Sequence, residues 1–244
     1  MALGFLSKSK DDKIGIEWPA RHSRLAHSFE TFCKTIFRLY CPLSVTGQEN
    51  LPEPPFLICS NHASHIDSTM LMAASGLSFR KVGLIAAKDY FFDQSHRFYL
   101  HYMMNLVPIA RGTGSRAIKD TIVACRSFID NGGLALIIYP EGTRSMDGKI
   151  AKFKEGAAML AHDLDIPIVP ACVVGSAECL GKGSYFIKPT KLSVHFGRSF
   201  KVSDWLSYDE KGDRKAAFNA YRESTQEIER QVREMAARGF YGSN

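Results

Sequence analysis

A histidine and an aspartate five residues apart, His62 and Asp67, stand in the run Asn61-His-Ala-Ser-His-Ile-Asp67. Imidazole exchanges protons near neutral pH. A carboxylate on one of its nitrogens fixes the tautomer and stabilises the imidazolium formed when the other nitrogen takes a proton. The spacing puts His62 ahead of a helix and Asp67 inside its first turn, so the two side chains can meet. A plainer reading exists. Ser64 and Asp67 have the S-x-x-D spacing of a capping box ahead of the apolar segment Ile66 to Ala74, where Asp67 would satisfy backbone N–H groups. The two readings are compatible, because a cap that fixes the helix also fixes the carboxylate.

The elements that must position this pair follow from the apolar pattern. Short apolar runs over 56–60, 82–87, 106–110, 134–139, 168–174 and 191–196 read as strands. Capped or amphipathic segments over 65–75, 91–104, 115–129, 155–162 and 214–237 read as helices. Their alternation argues for an α/β fold, a largely parallel sheet covered by helices. In such sheets ligands sit at the carboxyl ends of strands, and three loops there carry reactive groups. The first holds His62 and Asp67. The second, Arg111-Gly-Thr-Gly-Ser115, offers a guanidinium, two glycines and a helix start, the ingredients of an anion site. The third, Tyr139-Pro-Glu-Gly-Thr-Arg-Ser145, adds Arg144, which can grip a phosphate bidentately, with the hydroxyls of Thr143 and Ser145 beside it.

Residues 1–45 read as an N-terminal unit, a polar leader followed by an amphipathic helix, and residues 46–244 as the α/β domain with its C-terminal helix. Over 24–40 a stripe of Leu25, Phe29, Phe32, Ile36 and Leu39 is flanked by Ala26, Cys33, Phe37 and Tyr40, with Arg24, Lys34 and Arg38 supplying positive charge. This helix is too short and polar to span a bilayer. It can lie in a membrane interface or pack on the core.

The chain has 244 residues, enough for one large domain, and 45% hydrophobic content. No run of 18 apolar residues suggests a membrane span, and the N-terminus lacks secretory-signal character. The six cysteines are scattered without a C-x-x-C pair, which points to reduced thiols in the cytoplasm and leaves no zinc spacing; no metal site is expected. A net charge of +6 favours anionic partners. No nucleic-acid motif accompanies it, so phosphorylated small molecules or an anionic membrane are the expected partners and nucleic acid is not.

Four blocks, Asn61-His62-x-x-x-x-Asp67, Pro108-Ile109-x-Arg111, Tyr139-Pro-Glu-Gly-Thr-Arg-Ser145 and Ile166-Pro-Ile-Val-Pro170, resemble in order and spacing those of the glycerolipid acyltransferases, most closely the 1-acylglycerol-3-phosphate (lysophosphatidic acid) acyltransferases. Phe153-Lys154-x-Gly156 also matches the pattern after the third block. Tyr139 stands where phenylalanine is more usual, and Ala110 fills a variable position. The resemblance covers about Leu51 to Gly197. It implies that His62 is the general base and Asp67 its partner. It implies that Arg111, Glu141, Gly142, Thr143 and Arg144 bind the acceptor phosphate, and that Ile166, Pro167, Ile168, Val169 and Pro170 line an apolar acyl site. It implies transfer of a fatty acyl group from acyl-CoA or acyl carrier protein, the thioester being co-substrate and no further cofactor being needed, to a lysophospholipid acceptor, giving phosphatidic acid. It also implies a docking role for the N-terminal helix and peripheral attachment to the inner face of a membrane. Alternatives are another lysophospholipid or glycerol 3-phosphate as acceptor, or a non-catalytic lipid-binding protein on this fold. A dinucleotide reading of Gly112-Thr-Gly-Ser-Arg-Ala117 lacks an acidic residue at a following strand end, and a metal hydrolase built on His62, His65 and Asp67 lacks a second ligand cluster.

Overall fold

The computed structural model describes residues 7–8, 14–15, 18, 20, 22–87, 100–109, 115–145, 149–181, 184, 186–206 and 213–241. In chain order the elements are β1 (Ser7–Lys8), β2 (Ile14–Gly15), α1 (Arg24–Leu39), β3 (Leu43–Thr46), β4 (Phe56–Ser60), α2 (Asp67–Ala74), β5 (Val82–Ala87), α3 (Leu100–Met103), β6 (Asn105–Ile109), α4 (Ser115–Asp130), β7 (Ala135–Ile138), α5 (Gly156–Leu164), β8 (Ile168–Val174), α6 (Ser176–Cys179), β9 (Leu192–Phe196) and α7 (Arg214–Tyr241). Seven strands form one sheet in the order β3-β9-β8-β4-β7-β5-β6, while β1 and β2 pair separately. Strands β8, β4, β7, β5 and β6 are parallel; β9 runs against β8, and β3 runs with β9.

The period-two alternation of the central strands sends side chains into two cores. Leu57, Cys59, Leu136, Ile138 and Ile168 face one layer, where Phe128 of α4, Leu160 of α5 and Ile228 and Val232 of α7 cover them. Phe56, Ile58, Ala135, Ile137 and Val169 face the other, under Cys33 and Phe37 of α1 and Met70 and Leu71 of α2. Strands buried on both faces have no polar side to alternate with, so they read in the sequence as continuous apolar runs. Gly133 illustrates the tightness of the first layer: a Cβ there would come within 2.3 Å of the Phe128 ring.

The expected strands and helices are present with ends shifted by a few residues. The helix expected over 91–104 falls mostly outside the described residues, of which α3 gives the last turn. Four elements lie beyond the expectation. β1 and β2 occur within the expected leader, α6 is a single turn, and β3 (Leu-Ser-Val-Thr) is a half-exposed edge strand whose weak apolar content hid it. The unit boundary expected at 45/46 therefore falls inside a strand of the main sheet.

Helix α1 begins at Ser23, whose Oγ accepts from the N–H groups of Leu25 and Ala26. It buries Ala26, Glu30, Cys33 and Phe37, with Phe29 and Ile36 packed partly against the second core. The small residues Ala26 and Cys33 let it approach closely. Leu25, Phe32 and Leu39 are left outside at 43%, 58% and 75% exposure. The predicted stripe is thus divided between core and surface. Buried Glu30 fastens the helix: its carboxylate accepts from Ser78 Oγ at 2.9 Å, from the Phe79 N–H at 3.1 Å and from Lys34 Nζ at 2.7 Å.

Burial alone would raise the Glu30 pKa, but the hydrogen bonds from Lys34, Ser78 and the Phe79 N–H outweigh it and hold the pKa below its ordinary 4.5. A depressed carboxylate contributes stability above its unfolded pKa and loses it as pH falls through the folded value. Glu30→Ala should therefore cost about 1–3 kcal/mol at neutral pH by leaving buried donors unpaired. In urea denaturation the gap between parent and variant should shrink as pH is lowered below about 4.5; a pH-independent gap would contradict this account.

Candidate active site

Because β4 and β7 are neighbours, with Cys59 opposite Ile138, the loops leaving their carboxyl ends emerge side by side. These are the loops that hold His62 and Glu141. Asn61 finishes β4 by imitating backbone: its side-chain Oδ1 accepts from the Val173 N–H at 2.8 Å and its Nδ2 donates to the Val173 carbonyl at 3.0 Å. This adds one rung to the β4–β8 ladder and fixes the point at which the chain turns off toward His62.

The histidine is then clamped by its own peptide groups. Its N–H donates to Glu141 Oε1 at 2.7 Å, and its carbonyl accepts from the Ser145 N–H at 2.8 Å. Glu141 is buried, and its other oxygen accepts from the Ala151 N–H at 2.8 Å. Both oxygens are thus committed to backbone. The resemblance assigned Glu141 to the phosphate; here its carboxylate braces the loop that carries His62 and Arg144. Burial raises the Glu141 pKa, while the two N–H bonds and the imidazole oppose the rise and the nearby Asp67 charge adds to it.

His62 Nδ1 lies 2.8 Å from Asp67 Oδ2. The same oxygen accepts from the N–H groups of Ala63 at 2.7 Å and Ser64 at 2.8 Å, so the capping role and the pairing role coexist. Only half of the expected box forms. The Ser64 Oγ accepts from the Ile66 N–H at 3.4 Å and not from the Asp67 N–H, and it donates to the Leu180 carbonyl, tying the loop to the segment after α6. Asp67 is fully buried, and its Oδ1 has no hydrogen-bond partner among the described residues. The His62 side chain keeps 18% of its surface open, and its Nε2 has no partner among the described residues. An ionised Asp67 places the proton on Nδ1 and leaves Nε2 as the basic atom.

The Tyr139 ring lies on the imidazole, with centroids 3.8 Å apart and planes at 9°. Burial, with the Asp67 charge adding to it, holds its pKa well above the ordinary 10.0, so it stays a neutral phenol. Gly142 has φ of +76°, and a Cβ there would stand 2.8 Å from Lys154 Nζ; glycine lets the turn form beneath that lysine. Thr143 is exposed and Arg144 half-buried. Arg144 has no hydrogen bond or ion pair among the described residues, which leaves its guanidinium available to an anion.

Arg111 lies outside the described residues. The strand before it, β6, ends at Ile109 on the same edge of the sheet, two strands from β7. Ile166 to Pro170 are not gathered with His62. They lead into and begin β8, where Ile168 belongs to one core and Val169 to the other. Ile166, Ile168 and Val169 pack within the two cores. Three contributors went unnoticed in the sequence: Asn61 as a rung, Ser145 as the second half of the clamp, and Leu180 as the tether of Ser64. All three act through contacts distant in the chain. Burial pushes the thiols of Cys33, Cys125 and Cys172 up to about 12, so none of these is a ready nucleophile.

A parallel sheet presenting a buried carboxylate, an imidazole with one open nitrogen and an available guanidinium has the parts for general-base chemistry on a phosphorylated substrate. The chain belongs to the acyltransferase family, whose model matches residues 42–174. It is 29% identical over 192 residues to a 1-acyl-sn-glycerol-3-phosphate acyltransferase of Limnanthes alba, covering 78% of this chain and 66% of that one. It is 31% identical over 168 residues to the similarly named enzyme of Cocos nucifera, covering 67% and 51%. The chain thus spans between half and two thirds of these relatives' length. The crystal structure of the 1-acyl-sn-glycerophosphate (LPA) acyltransferase PlsC from Thermotoga maritima superposes with a TM-score of 0.57 at 26% identity, over 84% of this chain and 79% of that one.

Glu141→Gln offers the test of the brace. An amide can accept only one of the two N–H bonds and turns its NH2 toward the other donor. The variant should lose about 1–3 kcal/mol in urea denaturation and most of the turnover proposed below, with both losses reversed in the parent sequence only. A Gln variant of parental stability would show that the carboxylate is not what holds His62.

Proposed function

We propose that this protein transfers a fatty acyl group from an acyl thioester to the free hydroxyl of 1-acylglycerol 3-phosphate, giving phosphatidic acid and a free thiol. The carrier of the thioester is acyl-CoA or acyl carrier protein. The observation that carries the reading is the His62 Nδ1–Asp67 Oδ2 contact, which leaves Nε2 open on an anion-receptive edge of the sheet. Arg144, with Arg111 and the Gly142–Thr143 turn, holds the acceptor phosphate and brings the hydroxyl to Nε2. Such positioning can supply up to ~7–11 kcal/mol in favourable cases.

The hydroxyl proton passes to Nε2 as its oxygen bonds to the thioester carbon. The tetrahedral oxyanion collapses, the C–S bond breaks, and the departing thiolate takes the proton back from the imidazolium. No enzyme nucleophile and no cofactor beyond the thioester enters this sequence. The names of the similar proteins support lysophosphatidic acid as acceptor.

For placement in the cell, no helix among the described residues is long and apolar enough to cross a membrane. The open edge of α1 supports peripheral attachment. Leu25, Phe32 and Leu39 recur every seven residues, with Arg24 and Arg38 on the same helix. Tyr40 Oη donates to the Ile187 carbonyl, bringing the helix end beside the loop of Phe186, itself 82% exposed. An apolar edge fringed with cations suits an anionic lipid surface. We place the protein on the cytoplasmic face of a membrane; its six cysteines are buried free thiols.

Purified protein should acylate lysophosphatidic acid from labelled acyl-CoA or acyl carrier protein in preference to glycerol 3-phosphate or other lysophospholipids. His62→Ala should lower kcat by about 10²–10⁴-fold while the protein stays folded by circular dichroism; unchanged turnover would remove His62 as the base. Separately, Phe32→Glu should weaken flotation with anionic vesicles by about tenfold without altering turnover of a short-chain, water-soluble acceptor. Undiminished flotation would place the membrane contact elsewhere.

A further inference from the structure

Tyr139 touches His62 and the residue that follows Asp67. Its ring covers the imidazole face to face, and its hydroxyl shares a 2.8 Å hydrogen bond with Ser68 Oγ. Ser68 directly follows Asp67 in the first turn of α2 and is buried. One rigid side chain, rooted at the end of β7, thus touches the base and the turn that carries its partner. The contact with Asp67 restrains only Nδ1. An imidazole held at that atom alone can still tilt about the Nδ1···Oδ2 line and swing Nε2 away from an incoming hydroxyl. A flat ring at 3.8 Å blocks the tilt. The Tyr139 hydroxyl and Ser68 Oγ are also a matched pair, since either one buried alone would lack a partner. A phenylalanine would supply the ring without the tie to α2.

We propose that Tyr139 is a positioning residue for the acyl transfer described above: its ring sets the plane of His62, and its bond to Ser68 locks that plane to the helix bearing Asp67. The aromatic face also favours the imidazolium that forms during the reaction, because a cation is attracted to a π surface. This inference rests on the proposed function, and its test separates the two.

The parent, Tyr139→Leu, Tyr139→Phe, Ser68→Ala and the Tyr139→Phe/Ser68→Ala double variant are compared for kcat, for KM toward lysophosphatidic acid, for the pH profile and for thermal unfolding. Tyr139→Leu should lower kcat by about 10–100-fold with KM changed by no more than about twofold. The acid limb of its profile should move to lower pH by about half a unit as the imidazolium loses its π face. Tyr139→Phe should recover most of this loss. Tyr139→Phe and Ser68→Ala should each lower kcat about threefold, and the double variant no further than either, as expected for one shared bond. A folded Leu variant with parental kcat, or with its whole loss in KM, overturns the proposal. If that variant does not fold, parental kcat in both Tyr139→Phe and Ser68→Ala overturns it instead. Should the parent transfer no acyl group at all, the functional reading fails. Aromatic 13C relaxation of the His62 ring then decides the positioning claim alone: the ring gains motion in Tyr139→Leu, or in Ser68→Ala where Leu does not fold, and an unchanged ring sinks it.

Discussion

The site depends on the bonds that hold the His62 peptide between Glu141 and Ser145. They join the loop after β4 to the loop after β7, and each loop is placed by the other. A side chain on a free loop would sample many orientations, and the reacting nitrogen would be misplaced for most of them. Here both backbone polar groups of one residue are taken up by the neighbouring loop, and Glu141 extends the hold to Ala151. The arrangement requires β4 and β7 to be adjacent, so the strand order of the sheet is part of the site. It also means that the backbone leading to Arg144 and the backbone of His62 are joined, through the Ser145 N–H and the Glu141 carboxylate, in one hydrogen-bonded body.

The central layer was legible because strands buried on both faces leave a plain signature, and β4 and β8 match their expected limits residue for residue. The edge strand β3 was hidden by its composition, with two of its four residues polar. The N-terminal helix was read as a helix, but its stripe could not be divided into a packed side and an open side, because periodicity records that a face is apolar and not what covers it. At the site, the spacing of His62 and Asp67 allowed a contact but suited a helix cap as well, and it was the arginine-bearing loops and the family resemblance that favoured the catalytic pair. The role of Glu141 was not legible. A carboxylate inside a loop that the resemblance assigns to the acceptor phosphate reads as part of that loop's chemistry, and only the fold shows both of its oxygens turned to backbone. Asn61, Ser145 and Leu180 escaped for the same reason: their partners lie 112, 83 and 116 positions away. For Ile166 to Pro170 the apolar character read from the sequence agrees with burial in the core.

The three acceptor contacts of Asp67 all fall on Oδ2, while Oδ1 lies buried without a partner among the described residues. A carboxylate so placed carries a charge that its surroundings answer only by half. With His62 neutral, no cationic side chain lies within hydrogen-bonding distance of the Asp67 carboxylate among the described residues. When the imidazole takes a proton, that carboxylate meets the positive charge it lacked. The interior is therefore closest to electrical balance midway through the reaction and least so before and after, and it is the resting protein, not the transition state, that bears the tension.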